Sequence, residues 1–386
     1  MPQPPFVTSR LRGFGTTIFA EMSALAERTG AINLGQGFPD TDGPREVAEA
    51  AVAAIRGGAN QYPPGPGILD LRLAIAEHQH RFYGIDLDPE TDVLVTAGAT
   101  EAIAAALLGL CEPGDEIVAF EPTYDSYRAT AAMAGARVVP VTLRGPAFAV
   151  DVDALRDAVS PRTRLLLVNS PHNPTGKVLT RDELDAIAAL AVERDLLVVT
   201  DEVYEHMVFD GAHVPLATLP GMAERTLSIS SAGKTLSFTG WKVGWVTGRA
   251  ELVAAVRAAK QFLTYVGGAP FQPAVAVGLR LPDAYFDELR LDLLAKRDVI
   301  HDGLAAAGFD VFRPQGTYFI TADISPLTSE DGYSFCRSLP ERCGVVAVPT
   351  SVFYENPDDG RSVVRFAFCK RFEVLEEAAT RLKALA

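Results

Sequence analysis

Leu196-Leu197-Val198-Val199-Thr200-Asp201 is the stretch that decides the fold of this chain. An almost purely apolar run of this length, with no polar alternation, reads as a strand covered on both faces. Before it lies Asp182–Arg194, an amphipathic helix opened by Thr180 as its cap. The pairing of helix and buried strand repeats outward. Val93–Thr96, Ile117–Phe120, Arg137–Val141 and Leu165–Val168 read as strands upstream, and Leu227–Ser230 and Gly244–Thr247 downstream, with helical segments between several of them. The expected fold is α/β: a large domain with a mainly parallel sheet sandwiched by helices. Ligands of such sheets sit at the carboxyl ends of the strands, which makes Asp201 a site candidate at once.

The flanks read differently. A helix around Phe19–Arg28 precedes the turn-rich Leu34-Gly35-Gln36-Gly37-Phe38-Pro39-Asp40, and a second helix covers Arg45–Arg56. In Gln61-Tyr62-Pro63-Pro64-Gly65-Pro66-Gly67 the prolines and glycines forbid regular structure. Beyond about residue 280 come a long charged helix and strands near Thr317–Ala322 and Val363–Phe368. We expect residues 45–280 to form the large domain, 281–386 a smaller α/β domain, and 1–44 a segment that joins the small one. A length of 386 residues suits that division at roughly 150 residues per domain.

Composition narrows the function classes. A formal net charge of −14 argues against nucleic acid and anionic membrane as main partners, which need basic patches. It leaves room for a negatively charged small ligand in a locally basic cleft. Cys111, Cys336, Cys343 and Cys369 show no CxxC spacing and read as reduced thiols of a cytoplasmic protein. His78 and His80, two apart, would face different sides of a helix, and the six histidines form no familiar ligand pattern, so no metal site is expected. The start Met-Pro-Gln-Pro-Pro-Phe lacks the charged and apolar regions of a signal peptide, and no run of about 18 apolar residues could span a membrane.

Chemistry is concentrated at the strand ends. In Leu227-Ser228-Ile229-Ser230-Ser231-Ala232-Gly233-Lys234-Thr235 a strand closes in two serines, and Lys234 follows a glycine. Alone, this is most simply an exposed lysine. Its neighbours point further: Ser231 can hydrogen-bond a phosphate, and Gly233 leaves room for a bulky ligand. A desolvated lysine, or one near another cation, becomes nucleophilic toward an aldehyde; Lys242 could be that cation or a phosphate ligand. Asp201 is either a turn residue or a carboxylate that pairs with a protonated pyridine nitrogen, with Tyr204 in reach of the same ligand. Gly98-Ala99-Thr100, between a strand and a helix, offers backbone N–H groups to an anion, although small residues there often serve packing. The prolines around His172-Asn173 fix a turn that aims Asn173 at the cleft, or they mark an ordinary Asn-Pro turn; His172 reads as structural. Arg365, a charge inside the apolar Val363–Phe368, is either half of a structural ion pair or a bidentate grip on a carboxylate.

Taken together, Leu34–Asp40, Gln61–Gly67, the Asn-Pro-Thr-Gly turn, Thr200-Asp201-Glu202-Val203-Tyr204, Ser230–Thr235 and Thr239-Gly240-Trp241-Lys242-Val243-Gly244-Trp245 resemble the class I aminotransferases of fold type I. The resemblance covers essentially the whole chain, in order and at the family's spacing. It is nearest the kynurenine, glutamine and methionine aminotransferase group. Within that group the chain is most similar to actinobacterial N-succinyldiaminopimelate aminotransferases, above all through Thr16–Leu25 and Tyr265–Val277.

The resemblance implies pyridoxal 5′-phosphate as cofactor, bonded covalently by Lys234. It implies that Asp201 pairs with the pyridinium nitrogen, that Asn173 and Tyr204 hydrogen-bond the phenolic oxygen, and that Tyr124 stacks on the ring. Gly98, Ala99, Thr100, Ser231 and Lys242 would hold the phosphate, with Tyr62 reaching it from the neighbouring subunit of a homodimer. Arg365, Asn173 and the Gly37 backbone would bind the α-carboxylate of an amino acid or 2-oxo acid. Phe19 stands where kynurenine-type members often carry tryptophan, which argues against kynurenine as substrate. Tyr265, Phe353 and Tyr124 are the expected aromatic walls of the side-chain pocket. The implied reaction is a ping-pong amino transfer, with lysine biosynthesis as the preferred setting. A β-lyase acting on cysteine conjugates or cystathionine would use the same site. A DNA-binding regulator built on this fold is disfavoured, because the aminotransferase pattern begins within the first 20 residues and the charge is acidic.

Overall fold

The computed structural model describes residues 6–385. Most of Met1–Phe6, on which the reading of a start without a signal peptide rests, lies outside the described residues.

Among the described residues there are thirteen strands: β1 (Ile32–Asn33), β2 (Val93–Thr96), β3 (Glu116–Glu121), β4 (Arg137–Thr142), β5 (Thr163–Asn169), β6 (Leu197–Asp201), β7 (Thr226–Ser231), β8 (Gly244–Gly248), β9 (Asp310–Phe312), β10 (Phe319–Asp323), β11 (Val345–Val346), β12 (Val348–Pro349) and β13 (Val363–Ala367). Seven of them form the main sheet in the order β2-β8-β7-β6-β5-β3-β4. Only β8 runs against its neighbours; the pairs β7–β6, β6–β5, β5–β3 and β3–β4 are parallel. This is the mainly parallel, helix-covered sheet expected from the sequence.

The alternation of the strands explains their unbroken apolar runs. Leu165 and Leu167 of β5 face one hydrophobic cluster with Val199, Leu227 and the helix Gly98–Leu110, while Leu166 and Val168 face another with Val198 and the helix Arg181–Glu193. Each such buried Leu or Val contributes roughly 1.5–3 kcal/mol of apolar burial, which favours apolar residues on both faces of β5 and β6. Thr180 caps the second helix with a full capping box, its hydroxyl accepting from the Glu183 N–H. On the first face, helices Gly98–Leu110 and Ala250–Lys260 approach so closely that a Cβ at Gly109 would lie 2.4 Å from the Ala255 carbonyl.

A second, four-stranded antiparallel sheet has the order β12-β13-β10-β9, and β1 pairs in parallel with β11. Helices Ile18–Thr29, Asp283–Ala306 and Phe372–Leu382 share one core with these strands. Tyr204 and Met207, just past β6, belong to that core too, so the carboxyl end of the main sheet is where the two packing units meet.

Two details differ from the sequence reading. Gly98-Ala99-Thr100 is no linker: it is the first turn of the helix itself. The helix Leu69–Tyr83 went unread because it buries Arg72, His78 and Gln79, and polar residues on the inner face blur the apolar periodicity.

Candidate active site

The carboxyl ends of β5, β6 and β7 converge on a cavity of about 300 Å³. Asp201 closes β6 and is buried; the Tyr127 hydroxyl donates to its Oδ2 at 2.6 Å and the Val203 N–H to its Oδ1 at 3.4 Å. Burial pushes its carboxyl above the usual range, against the pull of these bonds. Among the described residues no Lys or Arg lies within ion-pair distance of it.

One strand along, β7 ends at Ser231 and a single helical turn, Ala232–Thr235, carries Lys234 into the cavity. Burial, with Arg365 and Lys242 adding like charge, brings the Lys234 ammonium down from its ordinary value to about 8. Nζ donates to the Tyr318 hydroxyl at 2.6 Å and lies 3.3 Å from the Gly37 carbonyl.

Beside these groups is a narrow cradle. Gly98 has φ +77° and opens the helix Gly98–Leu110, whose first N–H groups have no intrahelical partner. A Cβ at Gly244 would lie 2.7 Å from Gly98 C and 2.9 Å from Ala99 N, so β8 and the helix start touch backbone to backbone. Lys242, in the left-handed region at φ 55°, brings its side chain beside Gly98. Ala99, Thr100, Ser231 and Lys242 all line the cavity, which makes it an anion site with a helix amino end and one cation.

The third wall comes from β5 and the second sheet. The Asn169 side-chain amide donates to the carbonyls of Pro171 and Asp201 at 3.1 and 2.8 Å, and its Oδ1 accepts from the Asn173 N–H at 2.8 Å. Thus fixed, Asn173 Oδ1 accepts from Arg365 Nη1 at 3.0 Å. Arg365 Nη2 donates to the Gly35 carbonyl at 2.8 Å, while Nε is buried without a partner. The guanidinium lies over the Phe319 ring at 4.0 Å and near Phe19 at 5.1 Å. No carboxylate pairs with it among the described residues, so the structural ion pair considered from sequence is absent. Burial lowers Arg365 to about 10, still well above neutrality.

Phe19, Gly37, Tyr124 and Tyr204 also line the cavity. Three other residues do not. Phe353 is buried behind Phe19, stacked on it with ring centroids 5.8 Å apart, so it supports the wall instead of forming it. Tyr62 and Tyr265 meet edge to face at 5.6 Å but are 82% and 54% exposed, outside their own chain's cavity. Tyr127, Asn169, Gln36, Tyr318 and Phe319 were not singled out from sequence. Tyr127 had a usable signal, since it stands three residues after Tyr124 on the face of one helix; Tyr318 had none. His78, set aside with His80, in fact meets His206, Nε2 to Nε2 at 2.8 Å, with Glu205 alongside. Two metal-bound imidazole nitrogens at about 2.0–2.1 Å from one ion would stand further apart, so this pair is a hydrogen bond.

An amine poised near neutrality, a carboxylate lacking a cation, a cradle for an anion and an arginine lacking an acid surround one cavity. The sequence pattern described as aminotransferase class I and II matches residues 29–382. The chain belongs to this family. The probable N-succinyldiaminopimelate aminotransferase of Mycobacterium tuberculosis is 58% identical over 98% of both chains. The methionine aminotransferase of Escherichia coli is 39% identical over 99% of both. A solved structure of N-succinyldiaminopimelate aminotransferase from Mycobacterium tuberculosis superposes with a TM-score of 0.97, at 59% identity, covering 98% of this chain and 100% of that one.

This aminotransferase is a pyridoxal-phosphate enzyme. The residues present fit that cofactor: the helix amino end with Lys242 suits a dianionic phosphate, and buried Asp201 lacks the positive partner that a protonated ring nitrogen provides. Among the described residues no helix is long and apolar enough to cross a membrane.

Proposed function

We propose that this aminotransferase moves the amino group between N-succinyldiaminopimelate and a 2-oxo acid, 2-oxoglutarate serving as acceptor, within lysine biosynthesis. The observation that carries the substrate is the full-length, 58% identical relative bearing that name. When bound, pyridoxal phosphate supplies the carbon that accepts the amino group and the electron sink that makes the substrate Cα–H acidic. Lys234 holds the cofactor covalently. Freed from that bond, its Nζ would take the proton from the substrate Cα and deliver it to the cofactor carbon that carries the amino nitrogen, a role suited to an amine that is neutral above about pH 8. Asp201 holds the proton on the ring nitrogen, and Tyr204 and Asn173 hydrogen-bond the phenolic oxygen. Tyr124 stacks on the ring. Gly98, Ala99, Thr100, Ser231 and Lys242 hold the phosphate. Arg365, with Asn173 and Gly37, grips the α-carboxylate; its unsatisfied Nε and absent ion pair support that reading.

Exposed Tyr62 and Tyr265 support a homodimer in which Tyr62 completes the partner's phosphate site and Tyr265 the substrate pocket. The pairing of β1 with β11 supports a small domain made of residues 1–44 and 281–386 beside a large one of 45–280. Four buried, unpaired cysteines support a cytoplasmic setting.

One observation favours a second reading, a broad-specificity methionine or glutamine aminotransferase. The only cations lining the cavity among the described residues are Lys234, Lys242 and Arg365, all with roles above, so the cavity lining leaves none for the distal carboxylates of a succinylated donor. Single-turnover absorbance titration with N-succinyl-L,L-diaminopimelate, glutamine, methionine and kynurenine decides between the two. The succinylated donor should convert the cofactor fastest; if glutamine or methionine is clearly faster, the lysine-pathway assignment falls.

A further inference from the structure

Tyr318 stands just before β10 and is fully buried, yet its hydroxyl crosses from the second sheet to the lysine carried by the first. Three atoms form a closed triangle. Lys234 Nζ donates to Tyr318 Oη at 2.6 Å, Tyr318 Oη donates to the Gly37 carbonyl at 2.6 Å, and Nζ lies 3.3 Å from that same carbonyl. The Tyr204 hydroxyl also neighbours Tyr318 Oη; with the single phenolic proton directed at Gly37 over 2.6 Å, the oxygen offers Lys234 lone pairs. Two N–H bonds of the amine thus have fixed acceptors, and in a neutral amine the remaining position is the lone pair. Tyr318 also stays un-ionised, since burial holds its phenol well above the ordinary range, so it takes no proton from the lysine.

The triangle is locked from behind. A Cβ at residue 37 would come within 2.4 Å of Phe319 and 3.1 Å of Tyr318, so the Gly37 carbonyl is pressed against this pair. Thr317 precedes them in the left-handed region at φ 66°, its hydroxyl accepting from the Phe319 N–H at 3.0 Å. The Tyr318 ring packs edge-on against Tyr204 at 5.3 Å.

We propose that Tyr318 is a positioning residue: with the Gly37 carbonyl it berths the Lys234 amine whenever that amine is not bonded to the cofactor, and so aims its lone pair for proton transfer. The proposal rests on the reading of Lys234 as the proton-transfer base.

Tyr318→Phe keeps the ring and removes only the oxygen. In the cofactor-free protein, residue-resolved labelling of Lys234 by a small amine-directed reagent gives its titration midpoint. The variant's midpoint should fall by about one unit, because an ammonium loses more than an amine when an acceptor is removed. In the holoenzyme, kcat should fall about tenfold with KM for the donor changed less than about twofold, as expected when only lysine aim is lost. In a Lys234→Ala background rescued by a small exogenous amine, adding Tyr318→Phe should cost nothing further. An unshifted midpoint with unchanged kcat overturns the berth, and a loss that persists in the rescued background places Tyr318's effect elsewhere. High turnover in Lys234→Ala itself would instead sink the reading of Lys234. If Tyr318→Phe fails to fold, Tyr318→Met, a flexible filler without the hydroxyl, is held to the same midpoint and kcat outcomes.

Discussion

Two buried carboxylates stand at opposite ends of the main sheet, and their surroundings are opposite in kind. Glu116 opens β3 at the amino end. Its carboxylate accepts from the Ser160 hydroxyl at 2.6 Å, from Arg137 at 2.8 Å and from Arg162 at 2.8 Å, and the Ser160 bond with the two guanidinium groups holds it down to about 2. Asp201 closes β6 at the carboxyl end with one phenol and one backbone N–H, and burial pushes it up. The first carboxylate is complete within its own chain. The second is left short of positive charge, which fits the proposed reading that a cationic ligand completes it. The amino end of the sheet is therefore architecture, and the carboxyl end is the site.

The comparison breaks most severely if chemistry survives damage at the carboxyl end. On the proposed reading Lys234→Ala should lower turnover by at least ~10³-fold, since it would remove both the covalent anchor and the proton carrier. Absorbance should still report noncovalent cofactor binding, and appreciable steady-state activity would remove the central claim.

Next in size is Asp201→Asn, for which we expect kcat to fall ~10²–10³-fold through loss of the ring-nitrogen partner. Its effect on folding has the opposite sign. An acid whose folded pKa is raised penalises the folded state above that pKa and relieves the penalty as pH falls toward the unfolded value. The cofactor-free Asn variant should therefore be at least as stable as the parent at pH 7 in a thermal melt. Arg365→Lys should raise KM for the amino acid by roughly 10–100-fold while leaving kcat less affected, because lysine cannot reproduce a forked grip on a carboxylate. Unchanged KM would argue that Arg365 is structural after all.

Glu116→Gln probes the other end. It should leave kcat untouched and cost ~1–3 kcal/mol of stability at neutral pH, as a buried acceptor of several charged donors is weakened. The sign with pH follows from the lowered carboxyl: its contribution is full above about 4.5 and is lost as pH falls toward 2. Parent and variant melting temperatures should thus converge across that window. A fall in kcat would blur the division between the two ends.

How much of this was legible depends on which physics carries it. The main sheet was readable because β5 and β6 bury both faces, so Leu165–Val168 and Leu197–Val199 are apolar runs with punctuation at the ends. Asp201 and Lys234 were singled out for a related reason: each is the first charge at or beyond the carboxyl end of a buried strand. The helix Leu69–Tyr83 was not, because its inner face buries Arg72, His78 and Gln79, the first two hydrogen-bonded to polar partners. Tyr318 and Asn169 were missed because their importance lies in long-range bonds, to Lys234 and Gly37 and to the Asp201 carbonyl, and nothing in local pattern encodes such bonds. Phe353 was misplaced by one layer: its aromatic character was right for the wall, but Phe19 stands in front of it.

The smallest expected effect sharpens the comparison most finely. Tyr127 is the only side chain that donates to Asp201 among the described residues, over 2.6 Å. Its own phenol is held well above the ordinary range by burial and by the adjacent Asp201 charge, so it remains a donor throughout the working pH range. Removing that bond with Tyr127→Phe leaves the packing of the ring intact and withdraws one stabilising contact from the ionised carboxylate. The pKa of Asp201 should rise further, and its hold on a ring-nitrogen proton should weaken only slightly, because the charge itself remains. We expect kcat to fall about 3–10-fold, equivalent to ~1 kcal/mol, with a looser cofactor Kd in fluorescence titration. If Tyr127→Phe were as damaging as Asp201→Asn, the phenol would have to do more than support the acid. If it cost nothing, Asp201 would be as complete without its donor as with it, and the contrast with Glu116 would lose its physical basis.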